Sequence, residues 1–207
     1  MKHCIIMADI IGSSQQQGKL LMTHFKSVVN GVNTALKDKI RSPLTITLGD
    51  EFQGVVKDLD AAVEVIFWID ELMLSADPAY KLRFVVNYGA IDTAINEEVA
   101  YEMLGEGLTR ARHLLGAMKS EDTEILINGI DDKDDILNMA FKLYRSFYND
   151  WLEKDRPVAS TFLKIEDYKE VARIYKKDIS TMWRREKSLK IDEFRTSRDL
   201  IRRLAHE

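Results

Sequence analysis

One cysteine, three prolines and ten glycines in 207 residues leave little room for several kinds of protein. With Cys4 alone no intrachain disulfide can form and a cysteine-built zinc site is excluded; set in an apolar run, the thiol reads as a small buried side chain. Scarce proline and glycine argue against a linker-rich or low-complexity chain, and we find no internal repeat. Long apolar runs are missing too. The N-terminal MKHCIIMADIIGSS is cut by Asp9, which suits neither a signal peptide nor a spanning helix, so the expectation is a cytoplasmic protein with no membrane partner.

What is present is the composition of a folded globular chain, 45% apolar and 31% charged. The net charge of −4 is unevenly spread. Residues 1–153 hold 15 Lys+Arg against 24 Asp+Glu, and residues 154–207 hold 15 against 10, so an acidic body of −9 carries a basic tail of +5. Such asymmetry hints at an anionic partner for the tail.

Hydrophobic periodicity orders the first part of the chain. Residues 4–11 form a short apolar run ended by Gly12-Ser13-Ser14, as a central strand feeding a helix would. Leu20, Leu21, Phe25, Val28, Val29, Val32 and Leu36 then recur at helical spacing through about residue 40. Residues 44–48 and 54–57 flank Gly49-Asp50-Glu51-Phe52-Gln53, a hairpin with acids at its tip. A helix over about 60–75, a strand over 82–88, a helix over about 106–119 and a strand over 123–128 follow. The order βαββαβ, then αβ, predicts an α+β, ferredoxin-like palm over residues 1–130. After the acidic break at 129–135, a linker helix over about 134–154 opens a small all-α domain, residues 131–207.

Asp9 is the chemical signal in this pattern. A carboxylate in an apolar strand must be hydrogen-bonded, protonated or matched to a cation. In this strand order the end of strand one lies beside the hairpin tip, so Asp9 and Asp50 should converge. Two such charges repel, a bridging divalent cation reverses that cost, and an all-oxygen donor set favours Mg²⁺ or Mn²⁺. Gly12, Ser13 and Ser14, at a helix N-terminus, can offer backbone N–H groups to a nucleotide phosphate.

Four successive motifs, Asp9-Ile-x-Gly-Ser, Leu48-Gly49-Asp50-Glu51-Phe52, Tyr88-Gly89 and Gly105-x-Gly107-Leu108-x-x-Ala111-Arg112, resemble those of class III adenylyl and guanylyl cyclases in order and spacing. Over the whole chain the sequence resembles the bacterial SatD family. The cyclase resemblance implies metal binding by Asp9 and Asp50, with a homodimer as the usual assembly. It also implies a base-selecting Lys and a transition-state Asn and Arg, whose positions here hold Ile46, Thr109 and His113.

In the tail, Glu170-Val171-Ala172 and Ile179-Ser180-Thr181-x-x-Arg184-Arg185 resemble a helix-turn-helix of the sigma-factor region 4 type. That resemblance makes 166–175 the supporting helix and 179–189 the recognition helix, whose Ser180, Thr181, Arg184 and Arg185 would enter the DNA major groove while Lys176, Lys177, Lys187 and Lys190 meet phosphates. The expectation is a regulatory protein joining a cyclase-like metal- or nucleotide-binding domain to a DNA-binding one. The alternative is an active nucleotidyl cyclase or a related phosphoryl-transfer enzyme.

Overall fold

The computed structural model describes residues 1–12, 18–76, 80–121 and 123–206. Five strands form one sheet: β1 (Lys2–Ile10), β2 (Ile40–Ile46), β3 (Glu51–Val56), β4 (Leu82–Ala90) and β5 (Ile125–Asn128). Their spatial order is β2-β3-β1-β4-β5, antiparallel except for the parallel β4 and β5 pair. Three helices connect them, α1 (Gly18–Ala35), α2 (Leu59–Met73) and α3 (Glu106–Ala117). Five more follow the last strand: α4 (Asp134–Asp150), α5 (Arg156–Lys164), α6 (Tyr168–Tyr175), α7 (Ile179–Ser188) and α8 (Ile191–His206).

Strand alternation divides the core. Cys4, Ile6, Ala8 and Ile10 of β1 face a large core shared with α1, α2 and every helix after β5, whereas Ile5 and Met7 face a smaller one built on α3 and the 91–103 segment. Burial pushes the Cys4 thiol up to about 12, which keeps it protonated and inert. The large core runs without a break from Cys4 to Ile201, and Phe194 of α8 packs on Tyr144, Tyr148 and Trp151 of the α4 segment. Burying such a ring is worth roughly 1.5–3 kcal/mol. The expected boundary near residue 130 falls at the turn Gly129-Ile130, whose N–H groups donate to Asp134 at 2.7 and 2.8 Å.

A buried polar knot ties the later helices to α2. Asp70 accepts from Tyr144 Oη at 2.9 Å and from Arg145 at 3.1 Å, Tyr148 donates to the Asp70 carbonyl at 3.1 Å, and Arg145 Nε lies 3.3 Å from Glu124.

Helix α3 meets the sheet backbone to backbone. A Cβ on Gly107 would lie 2.6 Å from the Gly89 carbonyl carbon, and one on Gly105 would lie 2.4 Å from the Ala90 oxygen. Asn87 donates to the Gly107 carbonyl at 2.8 Å and accepts from Asn128 at 2.7 Å. The Tyr88-Gly89 and Gly105-x-Gly107 motifs are therefore explained by this close approach.

Several expected boundaries move. Strand β2 begins at Ile40, earlier than residue 44; it is an edge strand with bulges, which accommodates Pro43. Glu51, Phe52 and Gln53 belong to β3, so the hairpin tip is shorter than expected. The linker helix stops at Asp150, because Trp151 turns extended and donates its indole N–H to the Leu189 carbonyl at 2.8 Å. Helices α5 and α8 were not anticipated.

Candidate functional site

The site is built on the sheet face that α3 covers. Antiparallel pairing sets Glu51 of β3 opposite Asp9 on one side and Arg83 of β4 opposite it on the other, so the three form a row across adjacent strands. Asp9 is only 3% exposed. Arg83 Nη1 lies 3.2 Å from both of its carboxylate oxygens, and Lys119 Nζ, from the 3₁₀ turn that ends α3, lies 3.3 Å from Oδ2. Burial pushes the Asp9 carboxyl above its ordinary pKa; Arg83 and Lys119 pull the other way, and the nearby Asp50 charge adds to the rise.

Asp50 sits in the hairpin tip, half-buried, and its carbonyl accepts from the Ile10 N–H at 2.9 Å. This bond fastens the tip to the end of β1. Glu51 turns toward the hairpin and α3: Thr47 donates to Oε1 at 3.0 Å and Arg112 lies 3.7 Å away. Arg112 in turn donates to Gln53 Oε1 at 3.0 Å, and Gln53 donates to the Ala100 carbonyl. Beside this row a cleft of about 690 Å³ opens between hairpin and α3, lined among others by Thr47, Gln53, Leu104, Thr109, Arg112 and His113.

The sequence-based site residues divide as follows. Asp50 is bonded through its carbonyl to Ile10, the residue after Asp9, and its charge acts on the Asp9 carboxyl. Gly12 adopts φ +72°, the left-handed turn that glycine permits, while Ser13 and Ser14 lie outside the described residues. Thr109 and His113 line the cleft. Sequence reasoning missed Arg83 and Lys119. Arg83 had a signal, since it is a lone cation in an apolar strand as Asp9 is a lone anion in one.

In the tail, α6 and α7 are joined by Lys176-Lys177-Asp178, with Lys176 at φ +51° and the Lys177 N–H donating to the Ala172 carbonyl at 3.0 Å. Lys176, Lys177, Ser180, Thr181 and Arg184 are exposed. Arg185 is engaged by Asp155 in an ion pair, and Lys187 and Lys190 by Asp192 and Asp150.

Whether a divalent cation fits is decided by the donors. Three carboxylates gather around the end of β1, yet among the described residues no three His, Cys, Asp or Glu side chains converge into a preformed cage. One or two carboxylates completed by water and phosphate oxygens is the arrangement Mg²⁺ commonly takes, and here both Asp9 oxygens are engaged by Arg83, one of them also by Lys119. No helix among the described residues is long and apolar enough to cross a membrane.

Comparison with solved structures finds nucleotidyl-cyclase domains. A bacterial light-regulated adenylyl cyclase aligns at 12% identity over 61% of this chain and 74% of its own, with a TM-score of 0.45. A Trypanosoma brucei adenylate cyclase aligns at 15% identity over 61% and 71%, at 0.46. The monomeric guanylyl cyclase domain of the RhoGC fusion protein from Blastocladiella emersonii aligns at 17% identity over 61% and 82%, at 0.45. Likeness at this distance carries neither site residues nor activity across. No curated protein matches the chain. The profile of the SatD family matches residues 3–197, nearly the whole sequence, and the chain therefore belongs to the SatD family.

Proposed function

We propose that the α3 face of the sheet is a cation-dependent nucleotide site of cyclase type, and that phosphoryl-group chemistry on a nucleoside triphosphate is the activity it supports best. The observation that carries this reading is the buried Glu51, Asp9 and Arg83 row beside an open cleft. A desolvated carboxylate that meets a solvent-exposed cation is a common feature of functional sites. In this reading Asp9 and Asp50 hold Mg²⁺ or Mn²⁺, which when bound neutralises phosphate charge. The Gly12 turn offers backbone N–H groups to the phosphates, and Arg112 reaches into the cleft beside Gln53. The order β2-β3-β1-β4, antiparallel throughout, supports a ferredoxin-like label for the first four strands. Ile46, Thr109 and His113 set this chain's base and transition-state contacts apart from those the cyclase motifs imply. A homodimer through this face would cover exposed Leu48 and Leu104.

The test is incubation with Mn²⁺ and each nucleoside triphosphate, followed by chromatography of the products, beside Asp9→Asn and Asp50→Asn. The expected result is a nucleotide product lost in both variants. No product from any triphosphate, or product persisting in both variants, contradicts the reading.

A second reading, DNA contact by the α6 and α7 pair, is favoured by one observation: Lys176, Lys177 and Arg184 are exposed beside Trp183, which is 48% exposed. Arg185 is committed to Asp155, which narrows the contacting set. Affinity that falls steeply with salt and drops in Lys176→Ala/Lys177→Ala supports it, and salt-insensitive or absent binding refutes it.

A further inference from the structure

The two cations at Asp9 are not equivalent. Arg83 is built in: its side chain is 11% exposed, it is register-paired with Asp9 on the neighbouring strand, and it bridges both carboxylate oxygens at 3.2 Å. Lys119 is attached from outside. Its side chain is 61% exposed and reaches Oδ2 at 3.3 Å from the turn Met118–Ser120. Met118, beside it, is buried in the α3 core, so the backbone of the turn is anchored while the Lys119 side chain extends along the solvent side. Among the described residues, Asp9 is the one carboxylate within ion-pair distance of Lys119.

An ammonium and a divalent cation would compete for Oδ2. Both are hard cations that seek carboxylate oxygen, and held side by side on one carboxylate they repel. Arg83 also contacts both oxygens and opposes an incoming cation, but it is held within the sheet and only Lys119 can withdraw into solvent. We propose that Lys119 is a resident cation that occupies the outer oxygen of Asp9 and is displaced when Mg²⁺ or Mn²⁺ enters, so that residue 119 sets the affinity of the site for the metal. The inference rests on the assignment of the cation position to Asp9 and Asp50. Its consequence is a site that stays closed to free divalent ions at low concentration without any moving lid. Charge at residue 119, more than its shape, controls entry.

The experiment is titration of Mn²⁺ into the full chain, read as loss of the free-ion signal by electron paramagnetic resonance, for the wild type, Lys119→Met, Lys119→Arg and Asp9→Asn. Residue 119 is exposed, so its variants should fold, and circular dichroism checks that they do. The expected result is weak binding by the wild type and Lys119→Arg, binding tighter by about two- to fivefold in Lys119→Met, and none in Asp9→Asn. If Lys119→Met binds like the wild type while Asp9→Asn abolishes binding, the role of Lys119 is overturned and the cation site stands. If Lys119→Arg tightens binding as much as Lys119→Met, charge is not the cause and the inference fails. If no variant binds Mn²⁺, or Asp9→Asn binds as the wild type does, the cation site fails with it.

Discussion

Among the aspartates buried against an arginine, Asp9 and Asp70 lie on opposite faces of the sheet, and they differ in what else surrounds them. Asp70 is sealed in the large core by Arg145 and Tyr144, with Tyr148 on its backbone and Glu124 behind the arginine. Asp9 has its arginine too, but its second cation is a lysine whose side chain is 61% exposed. Asp70 ties α4 to α2, and every partner it has is fixed by packing. Asp9 sits where a partner can be exchanged, and exchange is what a binding site needs. Burial alone therefore does not separate a structural acid from a functional one; the exposure of its partners does.

The comparison can be broken by experiment, most sharply at the sealed pair. Arg145→Met leaves the Asp70 charge buried without its cation and is expected to cost about 3–5 kcal/mol in chemical denaturation. A loss under about 1 kcal/mol would mean that Asp70 is not charged in the core. Next in size is Gly107→Val, whose side chain would press on the Gly89 backbone. Repacking that contact costs about 1–3 kcal/mol. It should also displace α3, so loss of any Mn²⁺ and nucleotide response should accompany the loss of stability.

At the open pair the outcome should be different in kind. Asp9→Asn removes a charge that burial disfavours, so stability should stay within about 1 kcal/mol of the wild type or rise slightly. A large loss would make Asp9 a structural residue like Asp70.

The smallest effect belongs to Glu186 in α7, which is 7% exposed and lies 3.9 Å from Arg195. Burial pushes its carboxyl above the ordinary value, and the Asp192 charge adds to this. A raised folded-state pKa means that the folded chain holds the proton more tightly. The favourable contribution is thus complete below the unfolded pKa and is lost as pH rises through the folded one. Glu186→Gln should accordingly raise the melting temperature at pH 7, by the equivalent of about 0.5 kcal/mol, with the gap closing near pH 4. A gap that persists at pH 4 would count against this account.

Much of the fold was legible because hydrophobic period and strand alternation are local signals. The β1 run, the α1 stripe, the hairpin, α2, β4, α3 and β5 could all be placed. Asp9 was legible for the same reason, as a charge where the pattern demands an apolar side chain. Its partners were not, since Arg83 lies 74 residues away and pairs only through the sheet register. Glu51 was misplaced in the hairpin tip because a shift of one or two residues in a strand boundary decides whether a side chain faces core or solvent. Helix α8 escaped notice because its sequence, IDEFRTSRDLIRRLAH, is dense in charge. Arg198 and Arg202 pair with Glu71 and Glu64 of α2 and lie over the Phe67 ring, so even its charged residues pack inward.

The most direct test of the central claim, that the α3 face is a cation-dependent nucleotide site centred on Asp9, is the melting temperature of the wild type and Asp9→Asn with Mn²⁺ and a non-hydrolysable triphosphate, each ligand alone and together. The account predicts a rise of several degrees in the wild type when both ligands are present, about 2–4 °C per kcal/mol of linkage, and none in Asp9→Asn. An equal rise in both proteins, or no rise in the wild type with any triphosphate, would contradict it.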